Sequence, residues 1–414
     1  MNSNQSRLAV ISFLTILLSD ILDYIAGGGI LPFNPAIFTA ILRFVSVYCL
    51  IVYIRNTNWK DQIPKHAVNL LSFLIVWNVL TIVRGVFNAD MYYDWRFLIL
   101  SSLFYFLIPL SAIIGITILF NGRLLRIIIK KVYFYALLLL PLQALQLMAY
   151  ARAVISVWFF MMLSIYFKNK WRILIFITAF VSMITAFEIR ANFLRVSISV
   201  LLFALYTLKG VIKHTWLKIT CFTLFLVPFV LIYLGISGTF NIFQPFGEKD
   251  EVFVIDNDIG GNENSNLIAD TRTGLYVEVL NSVVADNILI FGGGATAKYK
   301  SATFELSDNM TERYGAEVGF LNTLLYSGLI GVILYFWVLT YAAYLGLNKS
   351  NNFFCKIISI FLGFRWVLFF IEDITKYDMN FYFLWVAVGV CFSNQFRNLS
   401  DEQIKIWIAK YVLV

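Results

Sequence analysis

Long apolar runs dominate this sequence, and they constrain its fold more than any other feature. The stretch FLILSSLFYFLIPLSAIIGITILF, from Phe97 to Phe120, is longer than the roughly 20 apolar residues that cross a bilayer as a helix. Similar runs recur along nearly the whole chain. Of the 414 residues, 60% are hydrophobic and 14% are charged. The pattern predicts an integral membrane protein.

Hydropathy predicts an all-α polytopic fold with about twelve transmembrane helices. The predicted spans are 8–26, 36–54, 67–84, 97–120, 132–150, 153–167, 173–189, 191–208, 219–236, 316–342, 357–372 and 381–396. No small-residue cleavage site follows the first run, so we interpret it as an uncleaved helix. The chain then divides into helices one to nine, an unusually long loop, helices ten to twelve and a tail. These units cover 1–236, 237–315, 316–396 and 397–414.

The charges in the connecting loops predict an orientation. If the N-terminus is inside, the five inner connections hold fifteen basic residues and one acid, Asp61. Most acids then fall on the other side, as the positive-inside rule requires. This predicts two cytoplasmic termini and an extracytoplasmic loop between helices nine and ten. The net charge of +8 is spread over short loops, which argues against nucleic-acid binding.

The large loop has two different halves. Its first half, GEKDEVFVIDNDIGGNENSN, is typical of a mobile connection. Its second half contains TGLYVEVLNSVVADNILIF, whose apolar spacing predicts an amphipathic helix, followed by glycines at 292–294. These glycines indicate a turn, or alternatively backbone N–H groups that approach a phosphate.

Several arginines lie on the predicted outer side, against the positive-inside trend. In AFEIRANFLRVS, Arg190 stands where helix eight begins and Arg195 lies about one turn deeper. Either arginine could snorkel to the interface or pair with Glu188. The other outer arginines are Arg84, Arg96, Arg152 and Arg272. Because the guanidinium group binds phosphate with paired, charge-assisted hydrogen bonds, their number favours a phosphate or pyrophosphate ligand.

Carboxylates suggest further candidate sites. Glu317 heads the apolar run of helix ten, where it could complement the helix dipole or serve as a general base. Asp20 and Asp23, three residues apart near the outer end of helix one, could form a catalytic or metal-binding pair. Arg43 and Arg365 fall well within predicted helices with no evident acidic partner, and their roles stay open.

These features together resemble the O-antigen polymerase and ligase superfamily. The resemblance spans roughly 173–345 and depends on four elements. They are the arginine at the start of helix eight, D-x-R at 270–272, the glycine-rich turn about 20 residues later, and E-x-x-F-L with G-x-x-G from 317 to 331. Ligases of that superfamily carry a histidine at the position of Glu317. The two histidines here, His66 and His214, fall in predicted cytoplasmic loops, so the chain is more similar to the polymerase branch.

The resemblance implies a function. Family members take a sugar chain from undecaprenyl pyrophosphate and transfer it to a second lipid-linked repeat unit, without a metal or another cofactor. It implies a bacterial cytoplasmic membrane, a site facing outward, and a protein that regulates chain length as a further partner. Arg190 and Arg272 would hold the pyrophosphate, and Glu317 would accept the proton of the acceptor hydroxyl. The remaining substrate-binding candidates are Arg195, Arg152, Tyr314 and Arg84.

Two other functions stay open. The first is a ligase or another polyprenyl-dependent membrane glycosyltransferase, which would use Asp20 or Asp23, or an outer histidine. The second is a flippase or other transporter of lipid-linked sugars. A transporter would place its important charges at mid-membrane, as at Arg43 and Arg365, and would have little need for a loop of some 80 residues.

Overall fold

The computed structural model describes residues 3–27, 34–127, 161–185, 190–236, 271–301, 312–373 and 376–412. Within these ranges the chain is mainly helical, and six helices are long and apolar enough to cross a membrane. The six are Gln5–Asp23, Ala36–Arg55, Lys65–Phe87, Tyr92–Ile116, His214–Tyr233 and Gly319–Asn348. The predicted helical membrane protein is therefore confirmed in outline. The count of twelve stays a prediction, and the predicted span 132–150 lies outside the described residues.

The helices before the first long gap are numbered α1 to α7. They are α1 Ser3–Gly27, α2 Ala36–Arg55, α3 Lys65–Phe87, α4 Tyr92–Phe97, α5 Leu103–Leu107, α6 Ala112–Ile116 and α7 Gly122–Ile127. The later helices are α8 Asn169–Thr185, α9 Arg190–Thr207, α10 His214–Ile236, α11 Thr271–Ala285, α12 Gly319–Asn348, α13 Phe353–Phe369, α14 Met379–Phe392, α15 Asn394–Asn398 and α16 Asp401–Val412. Strands β1 Lys298–Lys300 and β2 Glu312–Tyr314 form an antiparallel pair.

The fourth predicted span is not one continuous α-helix. Between α4 and α6 it contains a π-helical turn at Leu98–Ser102 and a 3-10 turn at Ile108–Ser111. Pro109 lies in the 3-10 turn, and proline has no N–H to give to the helix ladder. Short turns of different pitch therefore replace the regular helix, while the segment still runs through the bundle.

The described helix ends fall into two groups. At one end, called the tail end, α16 packs its buried Ile404 and Ile408 against the bundle, and Lys209 forms a 2.9 Å ion pair with Asp401. The other end, called the hairpin end, carries the strand pair and the connection from α13 to α14. Which end faces the cytoplasm stays a prediction.

A break in α12 accepts a segment from the large loop. At Gly328 the helix leaves α-helical geometry, so residues 329 and 330 cannot donate to residues 325 and 326. Residues 289–294 supply new partners for the two N–H groups after the break and for the two carbonyls before it. The four backbone hydrogen bonds are Leu329 N to Leu289 O at 2.9 Å, Ile330 N to Ile290 O at 3.3 Å, Gly293 N to Leu325 O at 2.9 Å and Gly294 N to Tyr326 O at 2.9 Å. These four backbone groups of α12 are thus satisfied, as an apolar surrounding requires.

Gly328 makes this exchange possible. Its φ of 68° and ψ of −172° lie in a region that is essentially restricted to glycine. A Cβ atom here would also clash with the carbonyl of Ile290 and the N–H of Gly292. The G-x-x-G pattern at 328–331 therefore marks the place where the loop enters the helix.

Candidate functional site at the hairpin end

Residues 370–373, between α13 and α14, are the meeting point of several elements and are called the Glu372 loop. The Tyr276 hydroxyl of α11 donates to the Phe370 carbonyl at 2.8 Å. The N–H of Gly319, the first residue of α12, donates to the Glu372 carbonyl at 2.9 Å. The Glu372 side chain contacts α9 through Arg195. Parts of α9, α11, α12 and α13 therefore converge on four residues.

Glu372 binds two arginines. Its Oε1 accepts from Arg195 Nε at 3.2 Å and from Arg365 Nη1 at 3.2 Å, and its Oε2 accepts from Arg195 Nη2. Arg365 is 1% exposed and Glu372 is 4% exposed. Burial of one unpaired charge is costly, so each member of this triad requires the others. Asp378 lies within electrostatic range of both arginines and of Lys376.

The triad answers one open question from the sequence and changes one expectation. Arg365, which had no evident partner, pairs with Glu372 and also lies over the Phe381 ring at 5.1 Å. Arg195, a predicted phosphate ligand, directs its guanidinium to the same carboxylate. Sequence reasoning missed Glu372. Its position in FFIED, directly after an apolar helix that contains an arginine, was the available signal.

Glu317 lies on the surface of this region. It precedes the first residue of α12 by two positions, its side chain is 55% exposed, and its Oε1 is 3.9 Å from Arg313 Nη2. An exposed pair at this distance contributes little to stability. The carboxylate is therefore accessible to a ligand and has a cation beside it. Both features suit the predicted base.

Asn322 holds the segment that carries Glu317. The Asn322 side chain is buried, its Oδ1 accepts from the Ala316 N–H, and its Nδ2 donates to the Ala316 carbonyl at 2.7 Å. The same Nδ2 lies 3.2 Å from Asp373 Oδ1. One amide thus ties the backbone next to Glu317 to the Glu372 loop.

Tyr314 and Lys298 join the strand pair to α4. The Tyr314 hydroxyl donates to Asp94, and the Tyr314 ring stacks on Phe97 at 4.7 Å. Lys298 Nζ lies 2.8 Å from Asp94 Oδ1 and 5.0 Å from the Tyr314 ring. Burial opposes the charge of Lys298, but hydrogen bonds to Asp94 and Tyr314 outweigh it and raise the pKa of the amine. Burial, followed by the bond to Asp94, raises the pKa of Tyr314. In this structure the Tyr314 hydroxyl is used for the contact with Asp94. That Tyr314 also contacts a substrate stays a prediction.

Arg84 closes the glycine-rich turn. Its Nη1 donates to the carbonyls of Phe291 and Gly292, the latter at 3.0 Å, and its guanidinium lies 5.1 Å from the Trp77 ring. The N–H groups of the three glycines at 292–294 all donate to backbone carbonyls. The turn is therefore confirmed, and its N–H groups are occupied by the protein itself.

The two aspartates of α1, Asp20 and Asp23, contact different parts of the protein. Asp23 forms an ion pair with Arg43, whose Nη1 also donates to the Leu100 carbonyl at 3.3 Å. Asp20 accepts from the N–H of Met379, the first residue of α14, at 2.7 Å. Each carboxylate thus has its own structural partner. Arg43, like Arg365, is paired with an acid.

The remaining predicted residues are known by position only. Arg190 is the first residue of α9, five positions before Arg195, and Arg272 is the second residue of α11, one turn before Tyr276. Both backbone positions are therefore near elements that contact the Glu372 loop. Arg152 lies outside the described residues.

Within the described part of the chain, no three histidine, cysteine, aspartate or glutamate residues are grouped to hold a metal ion. Comparisons with known proteins supply no relative: no family model, curated protein or solved structure matches the chain.

Proposed function

We propose that this protein polymerises lipid-linked oligosaccharide repeat units. It would move a growing sugar chain from undecaprenyl pyrophosphate to a second lipid-linked unit at the hairpin end. The proposal begins from the sequence resemblance. One structural observation supports it: α9, α11 and the residues before α12, which carry Arg190, Arg272 and Glu317, all converge on the Glu372 loop.

The charges of this region support a division of roles among the arginines. Arg195 and Arg365 already share the carboxylate of Glu372 as their ion-pair partner. The positive charge that a pyrophosphate requires would therefore come mainly from Arg190 and Arg272. Arg195 would then act by holding the Glu372 loop, and we no longer expect it to be a main phosphate ligand.

The reaction needs one base and one stabilised leaving group. The acceptor hydroxyl attacks the anomeric carbon of the donor sugar, its proton passes to Glu317, and the bond from that carbon to the pyrophosphate oxygen breaks. The carrier pyrophosphate leaves with the electron pair, and the two arginines stabilise its charge. The exposed carboxylate of Glu317 suits an acceptor that arrives from solution or from the membrane surface.

The test is the length of surface polysaccharide in a strain that lacks this chain. The strain is complemented with wild type, Glu317→Gln or Glu312→Gln at matched protein levels, and the polysaccharide is resolved on a gel. Glu312 is the matched control, because it lies in β2, five residues before Glu317, and its side chain is 53% exposed, against 55% for Glu317. We expect long chains with wild type and Glu312→Gln. We expect single repeat units with Glu317→Gln, since loss of a general base commonly costs about 10²–10⁴ in rate.

Other outcomes favour the other functions. Single units that are made but never reach the cell surface in the deletion strain would indicate a transporter. Long chains that form but are not attached to their final acceptor would indicate a ligase. Chains of wild-type length with Glu317→Gln would show that the base is another residue.

A further inference from the structure

A second candidate site lies at the tail end, far along the helices from the Glu372 loop. A cleft of about 600 Å³ opens between the end of α2, the short connection to α3, and the stretch of the fourth span around Pro109. This volume is in the range of ligand-binding clefts. The lining residues used below are Arg55, Lys60, Asp61, Ser72, Ile75, Val76 and Leu110.

The wall and the mouth of the cleft differ in chemistry. Ile75 and Val76 of α3 and Leu110 of the fourth span form an apolar wall. Arg55, the last residue of α2, and Lys60 lie at its polar edge with Asp61, and all three side chains are exposed. Two cations against one carboxylate leave a net positive charge beside an apolar groove.

The cleft opens onto an apolar surface. Next to it, α3 exposes a row of large hydrophobic side chains, as expected for a helix that faces lipid. The row consists of Phe73, Val76, Val79, Leu80 and Val83. A molecule in the cleft would therefore touch acyl chains along one side and the cationic edge at the other.

We infer that this cleft binds an anionic phospholipid. The headgroup phosphate would lie between Arg55 and Lys60, and one acyl chain would run along Ile75, Val76 and Leu110. Charge complementarity favours an anionic headgroup, because the edge of the cleft has a net positive charge and a zwitterionic headgroup carries a cation that this edge repels. Arginine supplies the paired donors that a phosphate oxygen accepts. The inference is independent of the proposed function.

The experiment uses the full chain in uncharged detergent and measures its thermal unfolding midpoint with added lipid. We expect phosphatidylglycerol to raise the midpoint by about 2–4 °C more than phosphatidylcholine or phosphatidylethanolamine does, since a ligand of the folded state stabilises it. Inorganic phosphate alone should not reproduce the shift. The double variant Arg55→Gln/Lys60→Gln should remove the preference. Lys168→Gln/Lys170→Gln should keep it, because these lysines are also exposed but do not line the cleft.

A further variant tests the apolar wall without changing charge. Ser72 lines the cleft on α3, and Ser72→Trp should fill it and reduce the phosphatidylglycerol preference. Equal shifts with all three lipids, a full shift with inorganic phosphate, or an unchanged preference in Arg55→Gln/Lys60→Gln would each overturn the inference.

Discussion

Arg365 of α13 and Glu372 of the following loop form a 3.2 Å ion pair that is almost wholly removed from solvent. The pair links α13 to the loop on which four helices converge. Because Arg195 shares the same carboxylate, one side chain fixes α9 and α13 relative to each other. The arrangement of these two helices at the hairpin end therefore depends on Glu372.

Replacing Glu372 by glutamine should strongly destabilise the protein. The variant leaves two arginines without their charge partner, and breaking a buried pair commonly costs about 3–5 kcal/mol. The measurement is chemical or thermal unfolding in detergent. Glu317→Gln is the control, since its exposed side chain predicts a change within about 0.5 kcal/mol. Equal stability of Glu372→Gln and wild type would mean that the triad is not needed for the fold.

Replacing Gly328 by alanine should prevent the exchange of hydrogen bonds between α12 and residues 289–294. Alanine is strained at φ 68° and ψ −172°, and its Cβ would clash with the Ile290 carbonyl. We expect a lower unfolding midpoint and faster proteolysis of the large loop. Gly210→Ala is the control, because a Cβ at Gly210 has no atom within 4 Å. The hypothesis fails if both variants unfold at the same temperature.

The contact between Lys298 and Asp94 predicts a pH dependence. The pKa of Lys298 is raised in the folded state, so the pair stabilises the fold fully below the unfolded value of about 10.4. This stabilisation is lost as the pH rises through the folded pKa. The midpoint difference between wild type and Lys298→Met should therefore be constant from pH 7 to 9 and shrink above pH 10.5. A difference that already shrinks between pH 7 and 9 would contradict the raised pKa.

The sequence was sufficient to predict local structure in the large loop. The apolar spacing of TGLYVEVLNSVVADNILIF predicted a helix, which the structure has at Thr271–Ala285, so the helix ends at Ala285 instead of Phe291. The glycines at 292–294 predicted the turn. The fourth span was predicted as one helix, 97–120, although Pro109 within it was an unused signal for the irregular turns that the structure has. Each of these depends on neighbouring residues, which a single sequence displays.

Long-range partners were not predictable in the same way. The break at Gly328 is stable because residues 32 or 40 positions earlier supply the missing hydrogen bonds. Arg195 and Glu372 are 177 positions apart, and neither segment contains a pattern that predicts contact with the other. Two of the arginines predicted to bind phosphate, Arg84 and Arg195, contact carbonyls or a carboxylate of the protein. Residue type alone does not distinguish an arginine that binds phosphate from one that binds groups of the protein itself.

Asn322 should affect the rate of the proposed reaction through the position of Glu317. Asn322→Ala removes the bonds to Ala316 and Asp373, which should cost about 1–3 kcal/mol and leave the segment before α12 less fixed. Chain extension would be measured with purified protein and a lipid-linked repeat unit, at a temperature where the variant is folded. We expect a lower kcat with little change in KM, because the base is displaced while the pyrophosphate contacts remain.

Thr323→Val is the matched control, since it removes a buried hydrogen bond to Tyr105, 2.8 Å long, one residue further along α12. If both variants lower kcat equally, loss of a buried bond in α12 explains the effect, and Asn322 has no special role in holding Glu317.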